Sequence, residues 1–160
     1  LILLDMPGFM LGSHAERIAT MRRGARALIA SAECQVPKVE FMVRKSYGVA
    51  ADAPNSIGLP DSINLRFGWP SGEWGGIPIE GGVAAAYRRE IAEADSPDAH
   101  REAIEERLLR LRSPFRAAHR GDVVDLIDPR ETRALACRFV NLAQPKLQEL
   151  AQRPKRAVRP

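Results

Sequence analysis

A chain of 160 residues with 45% apolar and 28% charged content is long enough for one ordinary core, and its composition excludes a disordered or fibrous chain. No run approaches the roughly 18 apolar residues of a membrane span. The formal net charge is +4, and the end segment "RPKRAVRP" holds four basic and no acidic groups. With no aromatic residue interleaved for base stacking, residues 151–160 read as a solvated basic tail rather than a nucleic-acid patch.

The opening "LILL" reads as a buried strand over Leu1 to Leu4 that runs into the turn "DMPG". It is too short for the apolar region of a signal peptide and has no basic segment before it. A chain that begins inside a strand looks like a fragment, or one half of a larger fold. A helix is expected from Ser13, with Glu16 completing a capping box and Ile18, Met21, Ala25, Leu28 and Ala32 forming its buried stripe. "VEFMV" follows as a second strand, rich in β-formers.

From Ser62 to Trp69 the sequence alternates, with Ile63, Leu65, Phe67 and Trp69 on one side and Asn64, Arg66 and Gly68 on the other. That pattern predicts a strand with one covered face. After a loop, a helix is expected with Val83, Tyr87, Ile91 and Ala94 inward. Ser96 and Pro97 open another, carrying Ile104, Leu108 and Leu111. "DVVDLI" predicts a short strand. Asp128-Pro129-Arg130-Glu131 caps a last helix with Leu135, Phe139 and Leu142 inward, which Pro145 should end or kink. Strands alternating with helices predict an α/β architecture with parallel crossovers.

Side-chain catalysis is poorly represented. His14, His100 and His119 lie far apart on predicted helices, without metal-ligand spacing, so no metal site is expected. Cys34 and Cys137 are two lone thiols, which argues for a reducing compartment and against a disulfide framework or a zinc site. No nucleophile elbow, phosphate-binding P-loop or dinucleotide fingerprint is present, and Asp122 with Asp125 reads as a solvated strand flank.

Backbone is better represented. "FGWPSGEWGGIPIEGGVAAAYRREI", residues 67–91, holds two tryptophans and six glycines. Gly75-Gly76 and Gly81-Gly82 bracket Ile77-Pro78-Ile79, and the second pair sits where a helix begins. The first turn of a helix presents free N–H groups, which without side chains in the way form an oxyanion hole. Spacing alone favours a tight strand-to-helix turn, with glycines for packing. Trp69 and Trp74 either shape apolar walls of a pocket or pack in the core.

Four stretches, in order, add a further indication: "LDMPGFMLGSHAERIATMRRGARAL", "VPKVEFMVRKSYG", "WPSGEWGGIPIEGGVAAAYRREI" and "GDVVDLIDPRETRALA". Together they resemble the C-terminal half of the carboxyltransferase (beta) subunit of biotin-dependent acyl-CoA carboxylases, the propionyl-CoA, acetyl-CoA and methylcrotonyl-CoA carboxylase family. The resemblance implies a crotonase-like α/β fold of stacked ββα units, with residues 1–150 as the biotin-binding half. It implies carboxyl transfer from carboxybiotin, carried on a partner carboxyl-carrier protein, to the α-carbon of an acyl-CoA. In that family biotin itself serves as base, so a site of glycines without a catalytic histidine is expected.

By the same resemblance Gly81 and Gly82 supply oxyanion amides, while Gly8, Phe9, Tyr47, Gly48, Gly76 and Val83 bind biotin or substrate. The implied partners are an N-terminal CoA-binding half and a biotin carboxyl carrier or biotin carboxylase subunit, in a cytoplasmic homo- or hetero-oligomer without nucleic acid or membrane. Three positions depart from the family: Pro54 where methionine is common, Pro78 where glycine is common, and Gly82 in place of alanine. Two alternatives remain open, the carboxyltransferase component of a biotin-dependent membrane decarboxylase and a catalytically degenerate scaffold.

Overall fold

The computed structural model describes residues 1–55 and 62–153. The basic residues 154–160, and most of the stretch that follows Pro54, lie outside the described residues. Among the described residues five strands form one sheet: β1 (Ile2–Met6), β2 (Lys38–Tyr47), β3 (Asn64–Gly68), β4 (Glu73–Gly75) and β5 (Asp125–Leu126). The order is β1-β2-β3-β5, and β4 pairs with the far end of β2. Every pairing is parallel, as crossovers through helices require.

Among the described residues eight α-helices connect and cover the strands: α1 (Ser13–Arg17), α2 (Thr20–Glu33), α3 (Gly48–Asp52), α4 (Gly82–Ala86), α5 (Arg88–Ala92), α6 (Pro97–Leu111), α7 (Pro114–His119) and α8 (Thr132–Ala151). Alternation along β2 sorts its side chains to two layers. Val39 and Phe41 join Phe67, Ile127, Phe139 and Ala143 in a core against α8, with Phe41 and Phe67 stacked at 5.6 Å. On the opposite face Met42 and Leu4 pack with Ala51 of α3 and Val123. A third cluster, Ile79, Val83 and Ile104, seats α4 on α6.

Several expectations are corrected. The first helix is capped at Gly12 with no side-chain hydrogen bond, so Ser13 and Glu16 do not make a capping box. The chain breaks at Ala19, which takes a left-handed φ of 55°, and this resets the helical phase before α2. Met21 and Ala25 therefore face outward, and Gly24 is the buried residue of α2. The helix expected after Gly82 is two short ones, broken at Tyr87, although Val83, Tyr87 and Ile91 do share a stripe against Ile104 and Leu108.

In α8 the inward row runs Leu135, Phe139, Ala143 and Leu147, whereas Leu142 is exposed. Steps of four residues keep that row on one face, and Leu142 points about 100° around the helix from its neighbour Ala143. Pro145 neither ends nor interrupts α8, which continues to Ala151. The segment "DVVDLI" contributes only two strand residues, and β4 appears inside what the sequence suggests is a loop.

Candidate active site

The end of β2 and the glycine-rich segment meet at one cavity of about 900 Å³. Tyr47 and Gly48 form one side, and Gly75, Gly76 and Ile77 form another. The approach is close because Gly48 is bare: a Cβ there would stand 3.1 Å from the carbonyl oxygen of Gly76. Gly48 also turns the chain from strand into α3 with a left-handed φ of 61°, a conformation that an L side chain strains.

Behind this wall, outside the cavity lining itself, Glu73 gathers two of its residues. The Tyr47 phenol donates to Glu73 Oε2 at 2.9 Å, and Arg112 Nη1 donates to the same oxygen at 3.3 Å. Burial, reinforced by the Glu73 carboxylate, pushes the Tyr47 phenol up to about 12, so it remains a neutral donor. The N–H of Trp74 donates to the Arg112 carbonyl at 3.0 Å, tying the end of α6 to β4. The far wall is charged. Arg66 pairs with Asp52 at 3.3 Å and Arg120 with Asp122 at 2.9 Å, and all four line the cavity together with Arg116.

The sequence-predicted site residues separate into two groups. Tyr47, Gly48 and Gly76 line the cavity, whereas Gly8, Phe9, Gly81, Gly82 and Val83 do not. Phe9 turns onto α2, where its ring occupies the space that a side chain at Gly24 would need. Val83 is fully buried between Ile79 and Ile104. Gly81 and Gly82 begin α4 just beyond Ile77 and Ile79, which do line the cavity. Gly81 holds a left-handed φ of 78°, and neither its amide nor that of Gly82 donates to an acceptor among the described residues.

Pro78 has a definite place. A Cβ on Gly82 would come within 3.3 Å of the Pro78 ring, and one on Gly8 within 3.9 Å, so the ring lies between these two glycines. The Pro54 carbonyl accepts a hydrogen bond from Ser31 Oγ at 3.0 Å and so links α2 to the turn after α3. The tryptophans divide: Trp74 lines the cavity, while Trp69 packs toward α8 and donates from Nε1 to Thr132 Oγ1 at 3.0 Å.

Sequence reasoning missed Glu73, Arg112, Arg66 and Asp52. Arg66 carried a signal, since it falls on the polar side of the alternation in residues 62–69; the others became visible only through pairings distant in sequence. No helix among the described residues is long and apolar enough to cross a membrane.

The carboxyl transferase domain family matches residues 1–158. The chain is 40% identical over 131 residues to the propionyl-CoA carboxylase carboxyltransferase subunit of Haloferax mediterranei, covering 81% of this chain and 25% of that protein. It is 40% identical over 132 residues to the methylmalonyl-CoA carboxyltransferase 12S subunit of Propionibacterium freudenreichii subsp. shermanii, covering 82% of this chain and 25% of that one. A solved structure of transcarboxylase 12S, described as a hexamer assembly, superposes with a TM-score of 0.69 at 33% identity, covering 99% of this chain and 29% of that chain. The chain thus spans about a quarter of the length of the curated relatives it matches.

Proposed function

The chain belongs to the carboxyl transferase domain family, and from that premise we propose that it is the biotin-side, C-terminal half of an acyl-CoA carboxyltransferase. The reaction moves the carboxyl group of carboxybiotin to the α-carbon of an acyl-CoA. The fold is the α/β crotonase-like fold of carboxyltransferase beta subunits. The partners in this reading are a CoA-binding N-terminal half and a protein that carries biotin, within an oligomer.

The residues present fit a biotin ring: Trp74, Ile77 and Ile79 offer apolar surface, and Tyr47, Gly48 and Gly76 offer polar edges with little bulk. Biotin, when bound, supplies the carboxyl group and a ureido nitrogen that takes up the α-proton. The chain's own task is narrower. The amides of Gly81 and Gly82 receive negative charge as it develops on a carbonyl oxygen, and the surrounding walls exclude water. The Tyr47 phenol, held neutral and tied to Glu73, keeps the cavity wall in place.

The observation that carries this reading is the pair of amides at Gly81 and Gly82 that have no acceptor among the described residues, beside a cavity bounded by the same glycine-rich segment. One observation favours the alternative of a catalytically degenerate scaffold. Pro78, which has no N–H to donate, sets its ring 3.3 Å from where a Cβ on Gly82 would stand.

The test is carboxyl transfer from malonyl-CoA to biocytin by the chain combined with its CoA-binding half, comparing wild type, Gly82→Ala and Gly82→Pro. Alanine adds a Cβ and keeps the N–H, so it controls for crowding against Pro78. Proline removes the donor, and transfer should fall by about 10²–10³ relative to alanine. Equal activity in two folded variants overturns the amide's role. An assembled, folded wild type without transfer supports the scaffold.

A further inference from the structure

Glu40 is the third residue of β2, in register with Ile2 of β1 and Arg66 of β3. It is 0% exposed, and neither carboxylate oxygen makes a hydrogen bond among the described residues. Arg66 Nε lies 3.1 Å from Glu40 Oε1 but is not aligned for a hydrogen bond, so the contact is an ion pair only. The same guanidinium reaches outward, with Nη1 3.3 Å from Asp52 Oδ1, and Arg66 and Asp52 both line the cavity. The charges felt by Glu40 are Arg66 from β3, Asp52 from α3 and Lys38 from its own strand. Lys38 Nζ is engaged with Ser31, donating to its Oγ at 2.8 Å, and β1 sets uncharged Ile2 beside Glu40.

A buried carboxylate with one misaligned partner is a costly way to stabilise a sheet, because an apolar side chain of similar size avoids the desolvation. What Glu40 does accomplish is local: it restrains one arm of an arginine whose other arm stands at the cavity. We propose that Glu40 is a positioning residue, which fixes the Arg66 guanidinium beside Asp52 and, by gaining or losing a proton, sets whether the Glu40–Arg66–Asp52 group within that wall is neutral or carries one negative charge. With Glu40 ionised the three groups sum to −1, and with Glu40 protonated they sum to zero. Burial, the main cause, pushes the Glu40 carboxyl up to about 7, so the change falls near neutrality. An anionic group entering the cavity meets the less repulsive wall on the acid side.

The inference rests on the biotin-side reading of the cavity only for its second assay. The first is NMR of the full-length protein with labelled glutamate and arginine. The Glu40 carboxyl and the Arg66 Nε resonance should shift with one midpoint near pH 7, and Glu40→Gln should remove the Arg66 step. An Arg66 signal that ignores pH in wild type, or keeps its step in Glu40→Gln, overturns the proposal. The second assay is carboxyl transfer from malonyl-CoA to biocytin by the assembled enzyme. Wild-type kcat/KM should fall through the same midpoint by roughly two- to thirty-fold, the range for one charge about 8 Å away between a water-like and a protein-like dielectric. Glu40→Gln should hold the acid-side value throughout, and Glu40→Asp should restore a step. A purely structural role would lower kcat/KM evenly at every pH and leave the step intact. Absence of transfer in wild type would count against the functional reading alone, since the NMR test does not depend on it.

Discussion

Tyr47 and Glu73 share a hydrogen bond of 2.9 Å that joins the end of β2 to β4, and Arg112 closes on the same carboxylate oxygen. Removing the phenol with Tyr47→Phe leaves Glu73 with one partner and should cost about 1–2 kcal/mol at pH 8. The folded phenol titrates at about 12 against an ordinary 10.0, so its contribution is full below pH 10 and is lost as pH rises through 12. Urea unfolding should show that alkaline decline in wild type and a smaller one in Tyr47→Phe. Identical alkaline limbs would mean that Tyr47 is not the group responsible.

Glu40 makes a related prediction for stability. Its folded carboxyl titrates at about 7 against an ordinary 4.5. The folded state therefore holds a proton that the unfolded state has released. That contribution is complete below pH 4.5 and disappears as pH rises through 7, a span worth up to roughly 3 kcal/mol. Glu40→Gln should flatten the stability curve between these limits and make the protein more stable than wild type at pH 8. A wild-type midpoint that does not change from pH 5 to pH 7.5 would show that Glu40 titrates normally.

What the sequence made legible follows from period and punctuation. Alternation in residues 62–69 marked β3, and Ile63, Leu65, Phe67 and Trp69 do share the α8 face. Ser96 before α6 and Pro97 at its first position marked its start. The two-part α1–α2 was not legible, because the left-handed turn at Ala19 falls on a residue type that gives no warning of it. The Glu73 group was not legible either: Tyr47 to Glu73 spans 26 residues and Arg112 to Glu73 spans 39, and such pairings are set by the sheet rather than by local pattern. Resemblance supplied the assignment of Gly81 and Gly82, which spacing alone did not separate from a turn.

The 3-10 turn Pro129–Glu131, which leads into α8, offers a test of local sequence against packing. Asp128 Oδ1 accepts from the Arg130 N–H at 2.9 Å, and Glu131 Oε2 accepts from the Asp128 N–H at 3.2 Å, which satisfies donors on both sides of the cap. The Arg130 side chain holds the Asp128 carboxyl below its ordinary 3.8. The support that this provides is present above pH 3.8 and is lost as pH falls through the depressed value. Asp128→Ala should lower the urea midpoint, and Asp128→Asn should retain most of it at neutral pH. Equal losses in both variants would assign the effect to charge rather than to capping.

Gly24 and Phe9 set two opposing effects against each other. Glycine inside a helix costs about 1 kcal/mol relative to alanine, so Gly24→Ala in α2 would ordinarily stabilise. Here a Cβ would stand 2.4 Å from Cζ of the Phe9 ring, closer than atoms tolerate, and the ring would have to leave its seat. Overpacking of that kind costs about 1–3 kcal/mol, enough to reverse the sign. Gly24→Ala should therefore destabilise the protein by up to about 2 kcal/mol, while the same change in a Phe9→Ala background should be stabilising. The coupling between the two positions, read from a double-mutant cycle of unfolding free energies, should exceed about 1 kcal/mol. Additive effects would mean that the Phe9 ring has free space to move into, and that Gly24 is not what seats the loop after β1 on α2.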